Sequence, residues 1–302
     1  MQVTRNWIII TTALCCSIGM FLVIKPYLLS STGGFGPTIL QAQSPVPAIV
    51  ALLLALAVGT YMACILSRYV LTGSLTLPVA MINIPNQRFS DTKTQGSSMS
   101  LLILGLGLGW TALQLQPIQD VLREGSLGML AAEGVAWGIL MLLVAATVCL
   151  LGGPLVQEMP GDTDASPHWA TSPDALKLAA CGACALPVVW LFAQSPMKGQ
   201  VLLAAILGSI AAGFAGRLVA PSVQPVLLFP SVCVFGALGQ WVAGTMLPEE
   251  VAPVIAAGQL PHLLLPLPID YAAGALVGVP IGLSWGSGFL QKDDAQAEAA
   301  TS

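Results

Sequence analysis

Apolar residues in this chain come in long unbroken runs, with the polar ones gathered in the stretches between them. The runs lack the period-two alternation of a half-buried strand or a membrane barrel. Counting them gives eight windows, 7–29, 46–67, 99–116, 128–152, 175–194, 200–220, 225–246 and 269–290, the third being the shortest. About twenty apolar residues in a helix reach across the hydrocarbon core of a bilayer. The pattern predicts an all-α integral membrane protein, a bundle of about eight transmembrane helices.

Composition points the same way. Of 302 residues, 56% are hydrophobic and 8% charged, against about a quarter charged in an ordinary soluble domain. The lipid bilayer is therefore the first partner the chain needs. The net charge of −4 comes with no basic stripe, so nucleic-acid binding has no electrostatic support.

The cations set an expected orientation. With the N-terminus cytoplasmic, Arg5, Arg68, Arg88, Lys93, Lys177, Arg217 and Lys292 fall inside, and Lys25, Arg123 and Lys198 outside. Seven of the ten basic residues inside favours an even number of spans and two cytoplasmic termini, in the cytoplasmic (plasma) membrane. The opening "MQVTRNWIIITTALCCSIGMFLVIKPYLL" has one cation before a run longer than a signal-peptide core, and no A-x-A-like site follows. It reads as an uncleaved first helix.

Polar stretches divide the chain into a first membrane half (1–156, four helices), a cytoplasmic loop (157–174), a second half (175–290, four helices) and a tail (291–302) expected to be disordered. Segment 83–98 reads as another cytoplasmic loop. The proline-rich 247–268 reads as an outer segment that lies along the membrane or dips back into it. None is large enough to be a soluble catalytic domain.

The two halves can be laid over each other. Their second helices end on Arg68 and Arg217, their third helices carry Trp110/Pro117 and Trp241/Pro248 at equal spacing, and their fourth open on Glu133 and Asp270. A true duplication would give two parallel four-helix repeats related by an axis along the membrane normal. Glycine-, alanine- and leucine-rich sequence aligns easily, so the relation rests on those few residues.

The same four charged residues are the candidates for function. Asp270 heads an apolar run long enough to span, which puts it at the outer edge. There a carboxylate accepts first-turn amides and opposes the positive helix end, whereas an ion-coupling acid would sit nearer mid-depth. Glu133 is either a similar cap or, counted from Gly128, a turn or more inside. Arg68 and Arg217 lie at cytoplasmic helix ends, from which long side chains reach the headgroups; as a pseudo-symmetric pair they would instead bind an anion.

"GLSWG" at 282–286 matches the G-x-S-x-G of serine hydrolases, but its glycines continue backwards as Gly274, Gly278, Gly282 and Gly286. A glycine at every fourth position makes a groove that a neighbouring helix can enter. That reading is preferred to a Ser284 nucleophile, whose base would have to be His262 in an outer loop. Gly134/Gly138 and Gly105/Gly109 repeat the spacing. Pro187, Pro230 and Pro280 fall within the windows, and each frees a backbone carbonyl. "CGAC" at 181–184 has no further metal ligands near it, so its cysteines read as small apolar residues. The chain carries no motif for a catalytic centre, a metal site or a cofactor.

Two function classes fit this pattern. The first is a permease-like carrier of a small or amphipathic solute, supported by span count, in-span prolines and Glu133. The second is a non-catalytic membrane subunit or scaffold that holds membrane-protein partners or further copies of itself. A lipid-acting enzyme ranks third, because its usual Asp/His/Arg constellation is missing.

Overall fold

The computed structural model describes residues 2–29, 38–39, 42–72, 91–123, 127–152, 154–155, 172–248 and 250–301. Among these the chain is helical, with no β-sheet. The long helices are α1 (Gln2–Ile24), α2 (Pro45–Thr72), α3 (Asp91–Gln114), α4 (Leu127–Gly152), α5 (Pro173–Phe192), α6 (Lys198–Val219), α7 (Leu228–Thr245) and α8 (Pro268–Thr301). Within the described residues, seven of them are long and apolar enough to cross a membrane, and the apolar stretch described for α1 is Ser17–Tyr27. The protein is an all-α membrane bundle.

Its outward faces are those of a helix in lipid. On α2, Val46, Val50, Leu54, Val58 and Met62 recur every fourth residue and are all exposed. On α4, Val135, Ile139 and Leu143 do the same. Stripes of this length would be an aggregation surface in water and cost nothing against acyl chains.

The last helix is the hub. It packs most closely on α6, then on α3, α7 and α4, and Ile269, Tyr271, Ala272, Ala273, Ala275 and Leu276 are all buried. Contacts between helix ends show that α6 and α8 run parallel, that α7 runs against α8, and that α2 and α3 are antiparallel. At one end Lys198, opening α6, meets Asp270 at the start of α8, and Gln240 late in α7 meets Pro266 just before α8. At the other, Arg217 late in α6 meets Ser287 late in α8, and Ser100 early in α3 donates to the Ala63 carbonyl late in α2 (3.2 Å).

Several helix boundaries have local causes. Ser172 caps α5 by accepting from Ala175 N (3.2 Å), with Pro173 and Asp174 in the first turn, each favourable at a helix start. The CGAC stretch breaks α5 into a 3-10 turn, Cys181–Cys184, and Pro187 follows just beyond, where a missing amide hydrogen is tolerated. Gly182 lets the break press on α7, since an added Cβ would lie 2.8 Å from Ser231 Cβ. Pro230 falls in the first turn of α7, where an amide would lack a partner anyway. Pro280 is inside α8.

Two expectations about polar segments change. Helix α3 begins at Asp91, inside the segment expected to be a loop over 83–98; the rest of that loop, and 157–171 of the 157–174 loop, lie outside the described residues. The tail from 291, expected to be disordered, continues α8 to Thr301, and its Gln, Lys, Glu and Ala are good helix formers. The segment before α8 packs on the bundle: a short helix Ala252–Ala256 ends at Gly258 (φ 66°), with Gln259 N donating to Val254 O (3.0 Å), the left-handed glycine stop of a Schellman motif. Leu260, Leu264, Leu265 and Leu267 are then buried, and the turn at His262–Leu264 packs on α5 and α7.

Between the halves, α3 lies on α8 and α4 on α7, the reciprocal pairs a two-fold relation exchanges. Trp110 stands one turn before the end of α3 and Trp241 one turn before the end of α7, both exposed. Inside the halves the packing differs: α6 packs chiefly on α8, while its counterpart α2 packs chiefly on α3.

Candidate functional site

The glycine ribbon positions everything around it, and its neighbour is α6. Gly274, Gly278, Gly282 and Gly286 face Ala205, Ser209, Gly213 and Arg217, again every fourth residue, in one constant register along two parallel helices. A Cβ at Gly274 would lie 2.8 Å from Ala205 C; at Gly278, 2.7 Å from Ser209 Cβ; at Gly282, 2.7 Å from Phe214 N. Backbone meets backbone here, the close approach that small residues permit in lipid. The singly repeated glycines also sit at interfaces, Gly105 against α8, Gly109 against α6 and α8, and Gly134 and Gly138 against α7.

Where the ribbon ends, Arg217 departs from expectation. It was expected to reach towards headgroups, but it is 5% exposed. The space left by Gly286 takes its stem, with Cβ and Cγ 2.7 and 2.9 Å from where a glycine Cβ would be. Its Nε donates to Ser287 Oγ (3.0 Å) and Nη1 to Pro221 O, so one guanidinium ties the end of α6 to α8. Arg217→Lys loses the planar fork that serves both acceptors. We expect a thermal melt in detergent to show a loss of about 1–3 kcal/mol; an unchanged melt would remove the tie from the account. Arg68 lies on α2, and its side chain is outside the described residues.

At the opposite end, Asp270 is the third residue of α8. Its Oδ2 accepts from Leu267 N (2.7 Å), the reach-back half of a capping box, and from Lys198 Nζ (3.2 Å). The carboxylate is fully buried and the Lys198 side chain 13% exposed. Lysine at the first position of α6 faces the positive end of its own helix dipole, which is unfavourable; Asp270 offsets it. Next along, the Tyr271 ring lies on α7 at Gly236, where a Cβ would be 2.7 Å from a ring carbon. One turn further along α7, Gln240 Nε2 donates to Pro266 O. Around this turn Asp270 Oδ1, Tyr271 Oη and Gln240 Oε1 are buried and have no hydrogen-bond partner among the described residues.

Glu133 is buried in the second turn of α4, so it is not an N-terminal cap. Its Oε1 accepts from Trp137 Nε1 (3.3 Å) and Ile39 N (3.4 Å). Glu133 thus holds the backbone at Ile39, ahead of α2, and Asp270 holds Lys198 at the start of α6. Ser284 is exposed far down α8, while His262 precedes the helix and bonds Trp190 O (2.9 Å) through Nδ1. The pieces of a hydrolase reading are at opposite ends of one helix. Cys181 and Cys184 are free thiols, Cys181 donating to Lys177 O (3.3 Å).

Of these features, Lys198 counts in the sequence only towards orientation, and Tyr271 and Gln240 do not stand out at all. The available signals were a lysine at the wrong end of a helix and a glutamine inside an apolar run. In comparisons with known proteins, no family model, no curated protein and no solved structure matches the chain.

Proposed function

We propose that the protein is a permease-like carrier of a small or amphipathic solute, set in the cytoplasmic membrane with both termini cytoplasmic. The observation behind this reading is the set of buried oxygens on α7 and the start of α8 that have no hydrogen-bond partner among the described residues: Asp270 Oδ1, Gln240 Oε1 and Tyr271 Oη. Burying such atoms costs about 1–3 kcal/mol each. A subunit that only holds neighbours gains nothing from that cost, whereas a solute site uses such atoms as its recognising surface. The orientation rests on the excess of cations at the predicted cytoplasmic ends.

A second reading, a non-catalytic subunit or scaffold, draws on a different observation. The α6–α8 contact is close, backbone to backbone along four glycines, and large apolar side chains stand out at the helix ends, with Leu176, Met197 and Met246 all more than 70% exposed. Native mass spectrometry of the protein drawn from its own membrane separates the two. The carrier reading expects a monomer or homo-oligomer retaining a small molecule. A stable assembly with other subunits would transfer the conclusion to the scaffold.

A further inference from the structure

Resting on the carrier reading, the geometry points to a subsite between α6, α7 and the first turn of α8 for an uncharged solute bearing at least two hydrogen-bond donors, as carboxamide N–H or paired hydroxyls. Its walls are set by contacts already described. Asp270 is held towards α6 by Lys198, and Tyr271 towards α7 by the missing side chain of Gly236. Gln240, on the next turn of α7, is fixed by its amide on Pro266 O.

Three observations select the ligand class. First, the buried side-chain atoms without partners among the described residues are a carboxylate oxygen, an amide oxygen and a phenol oxygen, so the protein offers acceptors and only the phenol can donate. That is the wrong surface for an anion. Second, the carboxylate already has a cation, since Lys198 Nζ sits 3.2 Å from Oδ2, and the positive end of α8 lies beneath it. A second cation would meet net positive charge in a medium that screens little. Third, Gln240 Nε2 is committed to a backbone carbonyl, which fixes the amide with its oxygen as the atom left to accept. An uncharged donor completes the hydrogen bonds without disturbing the ion pair.

Tyr271 is one of four tyrosines in the chain, so its ring carbons serve as a reporter. The full chain, with 13C-ring-labelled tyrosine, is placed in lipid nanodiscs and titrated with acetamide, ethylene glycol, acetate or ethylammonium; Tyr271→Phe identifies the resonance. The expected result is a saturable shift with acetamide or ethylene glycol, whichever responds naming the amide or hydroxyl source, and none with the two ions. In Gln240→Met the responding probe binds about tenfold more weakly. A shift with either ion overturns the uncharged class and leaves the carrier reading standing. Silence with all four overturns the subsite, and the wild-type titration decides this even if the variant does not fold. The carrier reading then stands or falls on native mass spectrometry alone.

Discussion

Gly278→Leu and Gly282→Leu should each abolish a stable folded protein in detergent. Overpacking a core usually costs about 1–3 kcal/mol because neighbouring side chains shift to make room. Here the new atoms meet the Ile206 and Ile210 carbonyl oxygens and the Ile210 and Phe214 amides, and a helix backbone cannot yield without losing its own hydrogen bonds. The cost should therefore exceed about 3 kcal/mol, seen as loss of the monodisperse peak on size exclusion. Gly288→Leu is the internal control, because an added Cβ there meets nothing within 4 Å; it should stay within about 0.5 kcal/mol of wild type. Wild-type melting of both ribbon variants would show that α6 and α8 are not held by close approach.

The second large effect is unequal damage on the two sides of one ion pair. Lys198→Met strands the fully buried Asp270 carboxylate without its cation, and breaking a buried pair in this way costs about 3–5 kcal/mol. Asp270→Asn is milder, about 1–2 kcal/mol, for two reasons. An asparagine oxygen can still accept from Leu267 N, and the partly exposed Lys198 can turn outward. The double change Lys198→Met with Asp270→Leu should recover much of the loss, since no charge is then left buried. Chemical unfolding of the set checks the order. Equal losses for the two single variants would mean that the pair is not where the energy lies.

What the sequence made legible follows the range of each interaction. The spans were readable because they depend only on a local run of apolar residues, and the ribbon because its period is local to α8. The identity of the ribbon's partner was not. Ala205, Ser209, Gly213 and Arg217 form a matching ridge, but several other stretches of this chain are equally rich in small residues. The helix-start position of Asp270 was readable from Pro268 and the run behind it. Its ion pair was not, because Lys198 lies 72 residues away in sequence. The inward course of Arg217 is not legible for a physical reason: length of side chain argues for reaching outward, and only the space above Gly286 on another helix makes the inward course favourable. The helix of the tail is hard to read because its low hydrophobicity argues for disorder, while its Gln, Lys, Glu and Ala favour a helix continued from α8.

The hub position of α8 also sets the order in which the bundle can close. Chains grow from the N-terminus, and α8 follows the other seven helices in the chain. Pairs that do not need it, α1 with α3, α2 with α3 and α4 with α7, can form first. Until α8 arrives, Gly213 and Arg217 of α6 have no ribbon to enter, and α6 lacks the neighbour it packs on most closely. Assembly is therefore staged: early pairs form a partial bundle, and α8 locks α6 to it.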